Sequence, residues 1–153
     1  MTDELKEYYR SYFEIGYVYD QWAQFNNITS NTLFVIYILF EFPDLCTQKF
    51  ICNKLFLPKQ TVNSILDTLE NKGYISKKAS PLDKREKVLS LTKTGVDYAH
   101  DILFALYQFE ENAFASMDEK ERKGMIEGNA AYCNQLSQQL ELAITRRKNK
   151  NAE

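Results

Sequence analysis

Within six positions the chain sets Lys59, Gln60, Thr61, Asn63 and Ser64, five side chains suited to hydrogen bonding with the edges of nucleic-acid bases. The amides of Gln and Asn match the donor and acceptor pair of adenine. The hydroxyls of Ser and Thr suit either partner, and a Lys ammonium reaches guanine or phosphate. A second group follows at once. Residues 72–87 carry six bases (Lys72, Lys77, Lys78, Lys84, Arg85, Lys87) against two acids, Asp83 and Glu86. Arg85 suits the concentrated negative potential of a minor groove, while Lys77, Lys78, Lys84 and Lys87 suit phosphates, which give affinity without sequence information. Asp83 either aims Arg85 or faces solvent. The competing reading makes the polar set an ordinary solvent-facing helix and the basic run a solvated loop. Against it stand the absence of Glu/Lys pairs at i,i+4 on that face and the direct succession of the two groups.

The elements that must position these groups are legible from period and punctuation. Leu5, Tyr8, Tyr12, Ile15, Tyr19 and Trp22 recur at alternating three- and four-residue steps, predicting a helix over about 3–26. A repeat sustained this long fits packing along another long helix, although a core-facing stripe has the same pattern. Thr29 or Ser30 can cap a second helix reaching about Phe42, whose run Leu33–Phe40 would read as a strand by propensity alone. Thr47 caps a short third helix to about Leu55, with Cys46 and Ile51 placed as a hydrophobic staple. Pro58 suits the first position of a fourth helix that ends at Gly73. Its Val62, Ile65, Leu66 and Leu69 form a buried face, which leaves Gln60, Asn63, Ser64 and Asp67 opposite. Residues 74–78 and 88–91 read as a hairpin with a basic tip. Thr92 caps a fifth helix over about 93–115, whose Ile102, Leu106, Phe109 and Ala113 form a stripe. Asp118 and Glu121 form a capping box for a sixth helix over about 119–147, before a frayed basic tail of Arg146, Arg147, Lys148 and Lys150.

Composition narrows the class. At 153 residues and 44% hydrophobic, the chain can build a core, and Pro and Gly are too scarce for a long linker. The net charge of −2 conceals an acidic 1–27 (five acids, two bases) and an acidic 97–127 (eight acids, three bases) around the basic segment. A nucleic-acid protein needs a basic face, not a basic total. The longest apolar run has eight residues and the N-terminus is acidic, which predicts a cytoplasmic protein without a membrane span or signal peptide. Three cysteines without CxxC spacing exclude a disulfide scaffold and a Cys-based zinc site. Cys52 and Cys133 fall at apolar positions and are expected to be buried, with Cys46 the more exposed. His100 is the only histidine, and neither a nucleophile–base pair nor a phosphate loop accompanies it, so no catalytic residue, metal site or cofactor is assigned.

From Thr29 to Gly95 the chain resembles the MarR family of winged helix-turn-helix transcriptional regulators. The resemblance rests on Leu45–Lys49, on Thr61-Val62 and then Leu69 through Ile75, on Asp83-Lys84-Arg85 in the wing, and on Leu91-Thr92-Lys93-Thr94-Gly95 at its exit. It implies a mainly α fold with a small β-hairpin wing, in a single domain. The DNA-binding region would be residues 28–95, and the dimerisation helices would be 1–27 and 96–147. It further implies a homodimer on pseudo-palindromic double-stranded DNA, usually a repressor, often released by a small ligand. By position the fourth helix is similar to the family's recognition helix and Arg85 to its wing-tip arginine. A pocket for a small aromatic or apolar ligand would lie between the first, second and fifth helices, with Tyr9, Tyr12, Phe13 and Tyr37 as candidate lining or plain core. Phe56 and Pro58 depart from the Gly and Ser-type cap common in the family, and residues 1–27 lack the cysteine of its peroxide-sensing branch. The alternative function is a winged-helix module that docks another protein, which would need an apolar rather than a polar fourth helix.

Overall fold

A computed structural model describes residues 1–43, 45–79 and 86–150. Its elements run α1 (Asp3–Phe25), α2 (Ser30–Glu41), α3 (Gln48–Leu55), α4 (Lys59–Asn71), β1 (Ile75–Ala79), β2 (Lys87–Leu91), α5 (Lys93–Ser116) and α6 (Glu119–Lys150). The strands pair antiparallel, Ile75 opposite Leu91 and Ala79 opposite Lys87. The architecture is mainly α with one hairpin, as the periodicity predicts. The chain forms two compact units, Met1–Tyr107 and Gln108–Glu153.

Side-chain caps set most of the helix starts. Thr29 Oγ1 accepts from the Thr32 amide at 3.2 Å and Thr47 Oγ1 from the Phe50 amide at 3.1 Å. Each satisfies one of the amides that a helix start leaves without a partner. Asp118 and Glu121 close a reciprocal box, with both amide-to-carboxylate bonds at 2.8 Å. In the same unit the Arg122 guanidinium donates to the carbonyls of Phe114 (3.0 Å) and Met117, tying off the end of α5.

The core of the first unit is built around α2. Leu33, Val35, Ile36, Ile38 and Leu39 are buried there, so the helix is apolar nearly all round. That explains why its sequence mimics a strand: a helix surrounded by other elements loses its polar face. Ile51 of α3, Val62, Leu66 and Leu69 of α4, Leu89 of β2 and Ile102, Leu103 and Leu106 of α5 complete the cluster. Each such Leu or Ile contributes roughly 1.5–3 kcal/mol by leaving water.

Three expectations change. Pro58 is the N-cap of α4, not its first helical residue; its ψ of 142° is extended while its carbonyl accepts from the Val62 amide at 3.1 Å. The tail does not fray at Arg146, because α6 continues to Lys150. No Gly or Pro stops it, and cations in the last turn suit the helix dipole. The cysteines invert: Cys46 is fully buried, Cys52 half-buried and Cys133 exposed. The staple position before α3 carries Cys46 inward, where its Sγ donates to the Ile38 carbonyl at 3.4 Å. Cys133 sits on α6, where no residue is buried within the chain.

Candidate nucleic-acid interface

The amphipathic pattern of α4 turns Val62, Leu66 and Leu69 into the core. Lys59, Gln60, Asn63 and Ser64 are therefore left exposed and Thr61 half-buried. All five predicted reading residues thus lie in the first two turns of one helix. No side chain caps the start of α4, so its first amides and the positive end of its dipole stay available. The turn before it contains Phe56 in the left-handed region (φ 53°), a residue 92% exposed.

At the other end, α4 closes in a Schellman arrangement. The Gly73 amide donates to the Glu70 carbonyl at 2.8 Å and the Tyr74 amide to the Leu69 carbonyl at 2.9 Å. Gly73 adopts φ 74°, where a side chain would strain the backbone. This sharp exit feeds β1 directly beside the helix.

Several ties hold the hairpin. The Leu89 amide donates to the Cys46 carbonyl at 2.8 Å, and Thr47 bridges Val88, so β2 is anchored at the start of α3. Thr92 donates through Oγ1 to the Gly73 carbonyl at 2.7 Å while accepting from the Gly95 amide at 3.0 Å. Gly95 packs against the turn so closely that a Cβ there would lie 1.8 Å from the Tyr74 carbonyl oxygen. Tyr74 and Tyr98 stack with ring centres 4.1 Å apart.

Between α3, α4 and the hairpin lies an open cleft of about 570 Å³ whose lining includes Gln48, Lys49, Cys52, Lys59, Asn63, Lys77 and Lys87. Among the described residues, four lysines and one acid, Glu86, line it. Lys78 and Lys87 are exposed and free to meet an anion from solvent. Lys77 is not: its side chain is 15% exposed and bridges Asp67 at 2.8 Å and Glu70 at 2.7 Å. Burial would lower its pKa, but the bonds and charges of the two carboxylates outweigh that and raise it. Asp67 also accepts from Asn63 Nδ2 at 2.9 Å, and Gln48 Nε2 donates to Asn63 Oδ1 at 3.4 Å and to the Lys59 carbonyl at 3.2 Å. The sequence reading missed both Gln48 and the pairing of Lys77. Asn63 and Asp67 stand four residues apart on one helix and were visible as a pair, whereas the reach of Lys77 across from β1 was not.

Lys84 and Arg85, with Asp83, lie outside the described residues. Of the four proposed pocket residues, Tyr9, Tyr12 and Phe13 are exposed on α1. Tyr9 stacks on Phe13, with ring centres 6.0 Å apart. Tyr37 is half-buried on α2, edge-on to Tyr107, whose hydroxyl donates to Glu41 at 2.6 Å. A second cleft of about 430 Å³, bordered by Thr29, Thr32, Thr68 and Lys72, takes in none of the four. Among the described residues, no cluster of three or more His, Cys, Asp or Glu side chains is placed to hold a metal ion. No helix there is long and apolar enough to cross a membrane.

A short helix, a turn, a second helix with an outward polar face and a two-stranded hairpin together define a winged helix-turn-helix. Residues 26–86 match the sequence model of the MarR family, and this stretch is similar to that family of winged-helix regulators. It is 37% identical over 60 residues to the uncharacterized HTH-type transcriptional regulator YdcH of Bacillus subtilis, a match covering 39% of this chain and 41% of YdcH. The fold superimposes on NMB1585, a MarR family regulator from Neisseria meningitidis, with a TM-score of 0.79 and 28% identity over 92% of this chain and 98% of that one. The S. aureus MepR–DNA complex has the same fold, with a TM-score of 0.73 and 21% identity over 89% of this chain and 99% of MepR.

Proposed function

We propose that this protein is a cytoplasmic, homodimeric transcriptional repressor that binds a pseudo-palindromic double-stranded operator in a sequence-specific way and performs no catalysis. The observation that carries the reading is the exposed polar start of α4, beside a lysine-lined cleft. Lys59, Gln60, Asn63 and Ser64 project from one helix face that carries no apolar side chain for a protein partner to cover. In this reading α4 lies in the major groove with its N-terminal turns on base edges. The wing carries Lys84 and Arg85 to the phosphates and the neighbouring minor groove. MepR, a protein of the same fold, has been solved bound to DNA, which supports the assignment.

Dimerisation is supported by the terminal helices. On α1, Tyr12, Phe13, Ile15 and Tyr17 are exposed, and on α6 so are Ile126, Leu136, Leu140 and Leu142. Apolar surface on this scale is normally covered by a partner, and a second copy also supplies the two-fold symmetry that a palindromic operator requires. A small aromatic or apolar effector is proposed to release the operator through Tyr9, Tyr12, Phe13 and Tyr37.

The test is a gel shift with the DNA upstream of the protein's own gene across a salt series. Wild-type protein is expected to bind with affinity falling steeply as salt rises. Gln60→Ala and Arg85→Ala should each weaken that complex by roughly 1–3 kcal/mol. Binding that ignores salt, or mutants that bind undiminished, would leave a protein-docking module as the better assignment.

A further inference from the structure

Lys77 is the one basic side chain of the described wing that the fold withdraws from solvent. Its ammonium sits between Asp67 and Glu70, 2.8 and 2.7 Å away. Both acids belong to α4 and Lys77 to β1, so this pair of bonds joins the wing to the helix that reads DNA in the proposed function. The chain of contacts continues. Asp67 uses its second oxygen to hold Asn63 Nδ2 at 2.9 Å, and Asn63 Oδ1 accepts from Gln48 of α3 at 3.4 Å. Gln48 in turn holds the Lys59 carbonyl in the first turn of α4 at 3.2 Å.

We propose that Lys77 is a positioning residue for base recognition: by clamping Asp67 and Glu70 it fixes the amide plane of Asn63, which then reads one base in each half-site. An amide carries two donor hydrogens and two acceptor lone pairs. Asp67 takes one hydrogen of Asn63 and Gln48 takes one lone pair, so one donor and one acceptor remain. That is the complement of an adenine edge, with its N7 acceptor and N6 donor. The clamp also prevents the amide from turning over, which would exchange donor and acceptor and reverse the preference. The polar network therefore gives Lys77 a part in specificity while taking it away from the phosphate backbone.

The inference rests on the proposed DNA binding, and its test keeps the two apart. Duplexes are selected from a randomised pool by the wild-type protein, and failure to enrich any sequence would overturn the DNA reading itself. With an enriched duplex and a scrambled control, the ratio of affinities and the salt slope on the control are measured for wild type, Lys77→Met, Lys77→Arg, Asp67→Asn and Asn63→Ala. Lys77→Met should lower the ratio by about tenfold and leave the salt slope unchanged, with partial recovery in Lys77→Arg. If Lys77 were a phosphate contact, the slope would fall by about 0.9 for each lysine removed while the ratio held, and the proposal would fail. Asp67→Asn provides a second route should Lys77→Met unfold. It is expected to lower the ratio, whereas a mere charge effect would raise both affinities and keep the ratio constant. Because Lys77 acts through Asn63, adding Lys77→Met to Asn63→Ala should lower the ratio no further. A full additional loss in that background contradicts the mechanism.

Discussion

At the scale of single residues, burial decides what each reactive group can do. Cys46 is enclosed by the core, and desolvation raises its pKa from 9.0 to about 11. The thiol therefore stays protonated at physiological pH and is a poor nucleophile. Iodoacetamide at pH 8 should leave Cys46 unmodified in the native protein and label it after unfolding. Peptide mass spectrometry reads the difference, and equal labelling in both states would contradict the burial. The same shift has a signed effect on stability. The folded state holds the Cys46 proton to a higher pH than the unfolded chain does, so the contribution is complete below pH 9 and is lost as pH rises toward 11. Cys46→Ala should lack that part of the alkaline fall, a difference on the order of 2 kcal/mol in denaturant titrations. Phe56 offers the opposite kind of test. It holds a left-handed backbone, and its side chain is almost wholly in solvent. Replacement by Gly should stabilise the fold by about 0.5–1 kcal/mol, since strain is relieved and little packing is lost. A lower unfolding midpoint in Phe56→Gly would show that the ring packs onto something the isolated chain does not contain.

At the scale of elements, the wing and α4 behave as one piece because backbone and side-chain ties converge where β1 leaves the helix. Gly95 is the tightest of them. A methyl group in Gly95→Ala would meet the Tyr74 carbonyl oxygen at 1.8 Å, and neither the first turn of α5 nor the start of the hairpin can yield without losing the Thr92 bonds. The substitution should cost at least about 2 kcal/mol in equilibrium unfolding and should weaken DNA binding even where the protein remains folded. Thr47→Ala removes the cap of α3 and should cost about 1 kcal/mol by the same measurement. An unchanged midpoint would mean that water replaces the hydroxyl at no cost.

At the scale of the molecule, the exposed apolar side chains of α1 and α6 set the question of assembly. In the proposed homodimer they are covered, so sedimentation should give twice the chain mass and the melting temperature should rise with protein concentration. Leu136→Glu together with Leu140→Glu, both exposed on α6, should shift the protein to monomer while the helical circular-dichroism signal persists. It should also abolish operator binding, because half-sites one helical turn apart need both recognition helices on a fixed two-fold spacing. A double variant that stays dimeric would place the interface elsewhere.

The order of helices and hairpin, the Thr29, Thr47, Thr92 and Asp118–Glu121 starts and the outward polar set of α4 were all legible in the chain, because capping and amphipathic period are local properties. The strand-like run of α2 was legible as a helix only through its cap. Burial on every side erased the polar face that would have marked it. Tertiary structure alone decided what depends on groups far apart in sequence. Lys77 looks like any wing cation until Asp67 and Glu70 are brought beside it. Cys46 looks exposed at the edge of a turn until α2 closes over it, and Gly95 looks like a simple family motif until the Tyr74 carbonyl is found against it. A sequence fixes which side chains can pair, but partners seven or more residues away are chosen by the packing of the core, which no local pattern encodes.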